Sequence, residues 1–257
     1  MRSIFAAGKK AIYSLRERSV FANYNQYKKA LLNKESGRII ISTKDGLRFT
    51  IRRNIWDARI LKEIFIKRPY IKFCKLQNNP VIVDIGGYIG DFTIYCAKYF
   101  KPLKVIVYEP TKENYNLLLE NVKLNGFQNI ILPVNKAVGI SGELILNVQS
   151  LTHEEVHVSS YWHEGHERRR IESVSIDELY SIHNLNKVDL LKIDCEGGEY
   201  DIILNASDNV LDITQNIVFE FHTIQNYISK LDALKRRLSA KGFVLYCKGN
   251  IISACRR

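Results

Sequence analysis

Carboxylates recur where apolar runs end. Asp84 closes VIVD, Glu109 closes KVIVYE, Asp194 and Glu196 follow LLKI, and Glu220 and His222 finish NIVFEFH. If extended geometry persists there, side chains two apart share a face, and neighbouring strands run about 4.8 Å apart. Asp194, Glu196, Glu220 and His222 would then converge. Such a cluster suits transfer to an alcohol, whose hydroxyl must lose a proton to a positioned base. His222 is one candidate base, because its reference pKa lies near working pH. Asp194 is the other, or else it orients the reacting groups, with Glu196 and Glu220 holding hydrogen bonds around them. Three other readings compete. His222 could be structural, Glu196 and Glu199 could cap the helix opened by GGEYD, or the carboxylates and histidine could hold a divalent cation. No metal site is expected. Cys195, alternating with its acidic neighbours, is expected to face the core.

The first acid introduces a glycine turn, Asp84-x-Gly86-x-x-x-Gly90. Dinucleotide enzymes present G-x-G-x-x-G, with pyrophosphate on a helix N-terminus. An aspartate in place of the first glycine disfavours pyrophosphate and suits a ligand carrying an ammonium group. S-adenosylmethionine is such a ligand, and Gly86 and Gly90 would admit its methionine end. Glu109, ending the second strand, is placed like the acid that holds ribose hydroxyls. The competing reading is that these glycines serve helix–strand packing and Glu109 is a solvated strand-end charge.

These residues need a particular scaffold. Residues 38–53 alternate around Lys44-Asp45-Gly46 and predict a β-hairpin. The stretch WDARILKEIFIKRPYIKFCKL, residues 56–76, reads as helical with an interruption near Pro69. Beyond residue 80, strands alternate with helices, and Phe92, Tyr95, Cys96 and Tyr99 mark one helix face. Tyr115, Leu118, Leu119 and Val122 mark a second, with Gly126 as its C-cap. Leu231, Leu234 and Leu238 mark the last. NIILPVNKAV reads as one strand, and residues 150–172 as a polar surface insertion in which Tyr161 and Trp162 are candidates for a substrate lid. FVLYCKGNIISAC gives two strands on a turn too short for a crossover, hence antiparallel. The fold class is therefore α/β: an open, mostly parallel, seven-stranded Rossmann-like sheet with helices on both faces and an antiparallel C-terminal strand pair. A helical and β-hairpin extension occupies residues 1–75, and the main domain residues 76–257.

A length of 257 residues suits one such domain with appendages. The net charge of +11 suits either an anionic partner or simple solubility. Five cysteines without paired spacing fit reduced thiols in a reducing compartment. With no run near ~18 apolar residues, no membrane span is expected, nor a signal peptide, and the expected location is cytoplasmic. Ile4, Phe5, Ala11, Ile12, Leu15 and Phe21 among basic residues could line a helix on an anionic membrane, or one packed on the domain or on a second subunit. His153, His157, His163 and His166 lie in a Glu-rich stretch without Cys partners, which favours a loop over zinc.

From about residue 80 to 222 the chain resembles the FkbM-type methyltransferases. The segments VDIGGYIGDFT, YEPTKENYNLLLENVKLNG, KAVGISGELIL, VSIDELY, LLKIDCEGGEYDIIL and VFEFH carry the resemblance, KIDCEGGE most specifically. It implies a seven-stranded fold, S-adenosylmethionine as cofactor (with S-adenosylhomocysteine as product) and a hydroxyl acceptor on a saccharide, glycolipid or secondary metabolite. It also implies that Gly87, Tyr88, Thr93, Asn114, Lys136 and Asp194 join Asp84, Gly86, Gly90 and Glu109 in holding the cofactor. Gly87-Tyr88 departs from the Ala-Asn common in the family. A nucleic-acid methyltransferase is the alternative, suggested by charge but opposed by the lack of an Asn/Asp-Pro-Pro-Tyr element or RNA-binding module. A membrane-associated, non-catalytic cofactor-binding protein is a third. Asp84 disfavours an oxidoreductase.

Overall fold

The computed structural model describes residues 13–32, 37–53, 55–152, 155–159, 167–223 and 226–256, with backbone alone for 149–152 and 155–159. The extension opens with α1 (13–20) and α2 (Tyr24–Leu32). The hairpin β1 (Arg38–Ser42) and β2 (Arg48–Arg52) follows, in register around Gly46 as expected. Helix α3 (Ile55–Lys62) continues into a π-turn (Glu63–Lys67) and, past left-handed Arg68, a 3₁₀ turn begun by Pro69 (Pro69–Ile71). The helical reading beyond Ile71 does not hold.

The main sheet comprises β3 (Val81–Ile85), β4 (Lys104–Tyr108), β5 (Ile131–Val134), β10 (Leu190–Ile193), β11 (Asn216–Glu220), β12 (Val244–Lys248) and β13 (Ile251–Cys255). Between β5 and β10 lie β6 (Ala137–Val138), β7 (Gly142–Thr152), β8 (Glu155–Ser159) and β9 (Glu167–Val174). The order across the main sheet is β12-β13-β11-β10-β3-β4-β5. The pairs of β3, β4, β5, β10 and β11 are parallel, and β13 runs antiparallel to both β11 and β12. The order reverses between β3 and β10, where such sheets bind ligands beyond their carboxyl ends.

Side-chain alternation splits the core in two. Ile82, Val105, Val107, Leu190 and Val218 face α4 (Asp91–Phe100), α5 (Lys112–Leu124) and the extension. Val83, Ile85, Ile106, Leu191, Ile193, Ile217 and Phe219 face α6 (Ile176–Ile182), α7 (Glu199–Asn205), α8 (Asp208–Asp212) and α9 (Tyr227–Ala240). The extension shares the first core, since Phe21, Tyr27, Phe49, Ile51, Phe65 and Tyr70 are buried in it. Helix α1 places Glu17 2.6 Å from Lys62, with Leu15 exposed and Phe21 buried. Ile4, Phe5, Ala11 and Ile12 lie outside the described residues.

Local signals explain several boundaries. Ser175 and Glu178 form a capping box on α6, and Gly126, at φ +73°, follows α5 while Phe127 N–H bonds back to Val122. The inward face of α5 is Asn114, Leu117, Leu118, Asn121 and Val122, so Leu119 points out instead of in. Asn121 is inward because its amide serves Thr50 of β2 and the Ile89 carbonyl.

Two expectations are corrected. NIILPVNKAV is two strands in different sheets, β5 and β6, divided at Asn135, whose amide bonds to the carbonyls of Glu109 and Pro110. The segment read as a polar insertion supplies the end of β7, β8 and most of β9 to a four-stranded sheet, β6-β9-β7-β8, in which β7 runs antiparallel to β8 and β9 and β6 runs parallel to β9. Tyr161, Trp162, His153, His163 and His166 lie outside the described residues. His157 pairs with Gln149 through the backbone of β8.

Gly86, at φ +84°, marks the tightest place in the sheet. A Cβ there would lie 1.8 Å from the Asp194 carbonyl oxygen, a backbone atom that cannot swing aside. Gly86→Ala is therefore expected to cost roughly 2–4 kcal/mol, measured by urea denaturation. Unchanged stability would contradict this register of β3 against β10.

Candidate active site

Gly86, Tyr88, Glu109, Asn114, Lys136, Asp194 and Glu196 all line one cavity of about 990 Å³ at the carboxyl ends of β3, β4 and β10. Its outer wall is Trp56, Arg59, Ile60 and Glu63 from α3 and the following turn, facing Ile140 and Leu144, Ile145 and Leu146 of β7. Asp84, Gly87, Gly90 and Thr93 do not line it. Gly87 and Gly90 lie against Val107 and Leu118, so they serve the packing that competed with the cofactor reading.

Asp84 differs most from expectation. It is fully buried, with Oδ1 3.0 Å from Lys192 Nζ and Oδ2 accepting from Thr93 Oγ1 at 2.5 Å. The sulfonium ligand's ammonium was expected to take this place, but the protein's own lysine fills it. Lys192 also donates to the Gly86 carbonyl at 2.7 Å and stands 3.9 Å from Asp194 Oδ2. Burial alone would discharge this ammonium, but Asp84, Asp194 and Asp91 outweigh it and hold its pKa above the ordinary lysine value. Burial raises the Asp84 carboxyl, and Lys192 and Thr93 pull it back. Asp91, buried beside them, is raised to about 7, burial again the main cause.

Glu109 follows the end of β4 and lines the cavity. Oε1 accepts from Thr111 N at 3.0 Å and Thr111 Oγ1 at 2.6 Å, and Oε2 accepts from Tyr88 N at 2.9 Å. Burial raises its pKa against these bonds. Tyr88, at φ +47°, is held by the extension. Its hydroxyl donates to Asp57 Oδ1 at 2.6 Å, and the Arg52 guanidinium lies 5.2 Å from its ring centroid. Arg52 forks onto both Asp57 oxygens and donates to Asn114 Oδ1 at 2.9 Å. The Gly87-Tyr88 departure thus couples the extension to the first turn.

The strand-end acids meet by a different route. The fourth strand stops at Ile193, and Glu196 sits at φ +53°, so the two-residue alternation breaks. The turn still brings Asp194 and Glu196 to the cavity, and Cys195 lines it as well. Burial raises the Cys195 thiol well above its usual range, leaving it protonated. His222 and Glu220 stand behind the lining. His222 Nε2 lies 3.9 Å from Asp194 and 3.5 Å from Glu196. Its Nδ1 lies 3.3 Å from Glu199 Oε1, which also accepts the His222 backbone N–H at 2.7 Å. Burial opposes the charge, but Glu199, Glu196 and Asp194 lift His222 to about 9. At neutral pH it is an imidazolium, with no lone pair to act as base. Glu196 is raised to about 7 by its low-dielectric surroundings and by Asp194 and Glu220, an effect moderated because half of its side chain meets solvent. Among the described residues, no group of three His, Cys, Asp or Glu side chains is arranged to hold a metal ion, and no helix is long and apolar enough to cross a membrane.

Sequence reasoning missed Lys192 and Tyr70. The signal for Lys192 was a lone lysine inside the apolar run LLKI. Tyr70 carried none, because its hydroxyl meets Asp194 and Glu220 at sequence separations of 124 and 150.

A doubly wound sheet with an acid-lined cavity at its switch point defines a Rossmann-like α/β architecture, and the match to known proteins narrows it. The chain belongs to the FkbM methyltransferase family, whose domain matches residues 84–245; it is an S-adenosylmethionine-dependent methyltransferase. Methyltransferase 1 of Beauveria bassiana is 26% identical over 204 residues, covering 72% of this chain and 80% of that protein. A tRNA (guanine-N(7)-)-methyltransferase of Oceanobacillus iheyensis is 26% identical over 176 residues, covering 67% and 81%. The hexuronic acid methyltransferase AglP of Haloferax volcanii is 25% identical over 179 residues, covering 68% and 70%.

Followed by NMR, His222 is expected to titrate at about 9, falling toward about 6.5 in Glu199→Gln. Because its folded pKa exceeds its unfolded one, its contribution to stability is complete below about 6.5 and disappears as pH rises through about 9. Titration near 6.5 in the unaltered protein would contradict the imidazolium assignment.

Proposed function

We propose that this methyltransferase modifies a hydroxyl group of a saccharide, glycolipid or secondary metabolite, with Asp194 as the base. The observation that carries the reading is the pairing, on one cavity, of Glu109 at one rim with the Asp194–Glu196 cluster at the other. S-adenosylmethionine, when bound, supplies an electrophilic methyl group on a sulfonium centre.

The residues present fit that cofactor. The volume suits a ligand of its size. A carboxylate oxygen has two lone pairs, and Glu109 Oε2, holding the Tyr88 N–H, keeps capacity for a ribose hydroxyl. The Asn114 amide donates to Glu109 Oε1 at 3.4 Å, and Lys136 lines the same cavity. Asp84 and Thr93 act from behind, by fixing Lys192 and the Gly86 carbonyl. Asp194 takes the proton role because it reaches the cavity as a strand-end carboxylate, whereas His222 is already protonated and orients Asp194 and Glu196 by charge. Holding the acceptor hydroxyl in line is the larger part of the chemistry. For the acceptor, Trp56 and the β7 aliphatics offer apolar faces, while Arg59 adds positive charge. An acidic sugar face suits that wall, and a uronic acid is the acceptor named for the Haloferax relative.

Calorimetry is expected to show one S-adenosylhomocysteine bound per chain, with affinity about 10- to 100-fold weaker in Glu109→Ala. With labelled methyl donor, an acidic saccharide in a panel with tRNA is expected to be labelled, and Asp194→Asn to slow turnover by about 10²–10⁴. Folded protein that binds no cofactor, or labelling of tRNA alone, would overturn the reading.

A further inference from the structure

Tyr70 belongs to the 3₁₀ turn of the extension, yet its hydroxyl lies 2.9 Å from Asp194 Oδ2 and 2.8 Å from Glu220 Oε2. A phenol carries one hydrogen. Two ionised carboxylates at those distances would leave one oxygen pressed against another with no proton between them, in a site where Tyr70 is 2% exposed. Both contacts are hydrogen bonds only if one carboxyl group carries a proton of its own and donates it to the phenolic oxygen.

The surroundings say which one. Asp194 faces the cavity and has the Lys192 ammonium and the His222 imidazolium within 3.9 Å. Glu220 Oε1 accepts from the Asn250 amide, and its nearest titratable neighbours are Tyr70, Asp194, Glu196 and His222. The wider cluster sets six carboxyl groups, Asp84, Asp91, Asp194, Glu196, Glu199 and Glu220, against two cations, Lys192 and His222. Several of those acids must stay neutral to limit repulsion in this setting. Burial and Asp194 raise the Glu220 carboxyl in that direction.

We infer that Tyr70 is a proton-relaying hydroxyl: Glu220 rests as a neutral acid donating to Tyr70, and Tyr70 donates to the Asp194 carboxylate. The inference rests on the hydroxyl-acceptor reading for its role in turnover, though not for its resting protonation. As the acceptor oxygen forms its bond to the methyl carbon, its hydrogen passes to Asp194. Glu220 releases its proton to solvent, and Tyr70 turns its O–H from Asp194 to Glu220 while Asp194 donates to Tyr70. Two concerted hops then restore the start: Asp194 gives its proton to the phenolic oxygen, and the phenol gives its own to Glu220. One proton has moved from acceptor to solvent, and no oxidant or reductant takes part. The phenol never ionises, in keeping with the raised pKa that burial and the flanking Asp194 and Glu220 impose on it.

Infrared spectroscopy of the resting protein at neutral pH tests the protonation directly. The expected spectrum contains a protonated-carboxyl C=O band that is lost in Glu220→Gln and shifts in Tyr70→Phe. The phenylalanine keeps the ring contact with Phe92, at 5.5 Å between centroids, so the fold is expected to survive. In turnover, the solvent isotope effect is expected to reflect more than one moving proton in the unaltered protein and a single one in Tyr70→Phe. A purely structural tyrosine would leave that count unchanged. A band absent from the unaltered protein, or unaffected by Glu220→Gln, overturns the inference while leaving the methyltransferase assignment standing. Labelling of a nitrogen acceptor with the band intact overturns the hydroxyl reading while the resting protonation stands.

Discussion

A single ammonium group holds the working rim together. Lys192 sits in the middle of an apolar strand, 3% exposed, with the Asp84 carboxylate at 3.0 Å and the Gly86 carbonyl at 2.7 Å. A lysine in such a place is tolerable only when paired, because removing one partner leaves an uncompensated buried charge, at a cost of about 3–5 kcal/mol. The pairing fixes the ends of two neighbouring parallel strands relative to each other. It holds the glycine turn against the Asp194 backbone and leaves the Asp194 carboxylate at the cavity edge. The charge of Asp84 is neutralised inside the protein, and the carboxylates that line the cavity are instead those of Glu109, Asp194 and Glu196.

The extension is part of this arrangement. Its residues fill half of one core layer, and two of its groups reach the site from opposite sides. Arg52 and Asp57 grip Asn114 and Tyr88 beside Glu109, and Tyr70 bridges Asp194 and Glu220. Together with Trp56 and Arg59 in the cavity lining, these contacts make the N-terminal segment part of the site's structure.

Much of the scaffold was legible in the sequence because it is written in local periodicity. Alternating β and α units, Gly126 at a helix end and a short terminal turn suffice for a mostly parallel sheet and an antiparallel C-terminal strand pair. The site was legible where a carboxylate just past a strand end reaches the cavity, as for Glu109 and Asp194. It was not where a side chain's partner comes from far along the chain. Asp84 looked available because Lys192, its neutralising partner, lies 108 positions away on the adjacent strand. His222 looked like a base because its reference pKa says nothing of Glu199. Residues 150–172 looked like a polar surface insertion because their polar composition hides the strands that pair there with residues outside the segment.

Whether Lys192 keeps its place when the cofactor binds decides the account. A crystal structure of the protein with S-adenosylhomocysteine at neutral pH should show the lysine still seated on Asp84, with the ligand above Gly86 and its ribose on Glu109. A ligand amino group bonded directly to Asp84, with Lys192 displaced, would contradict it.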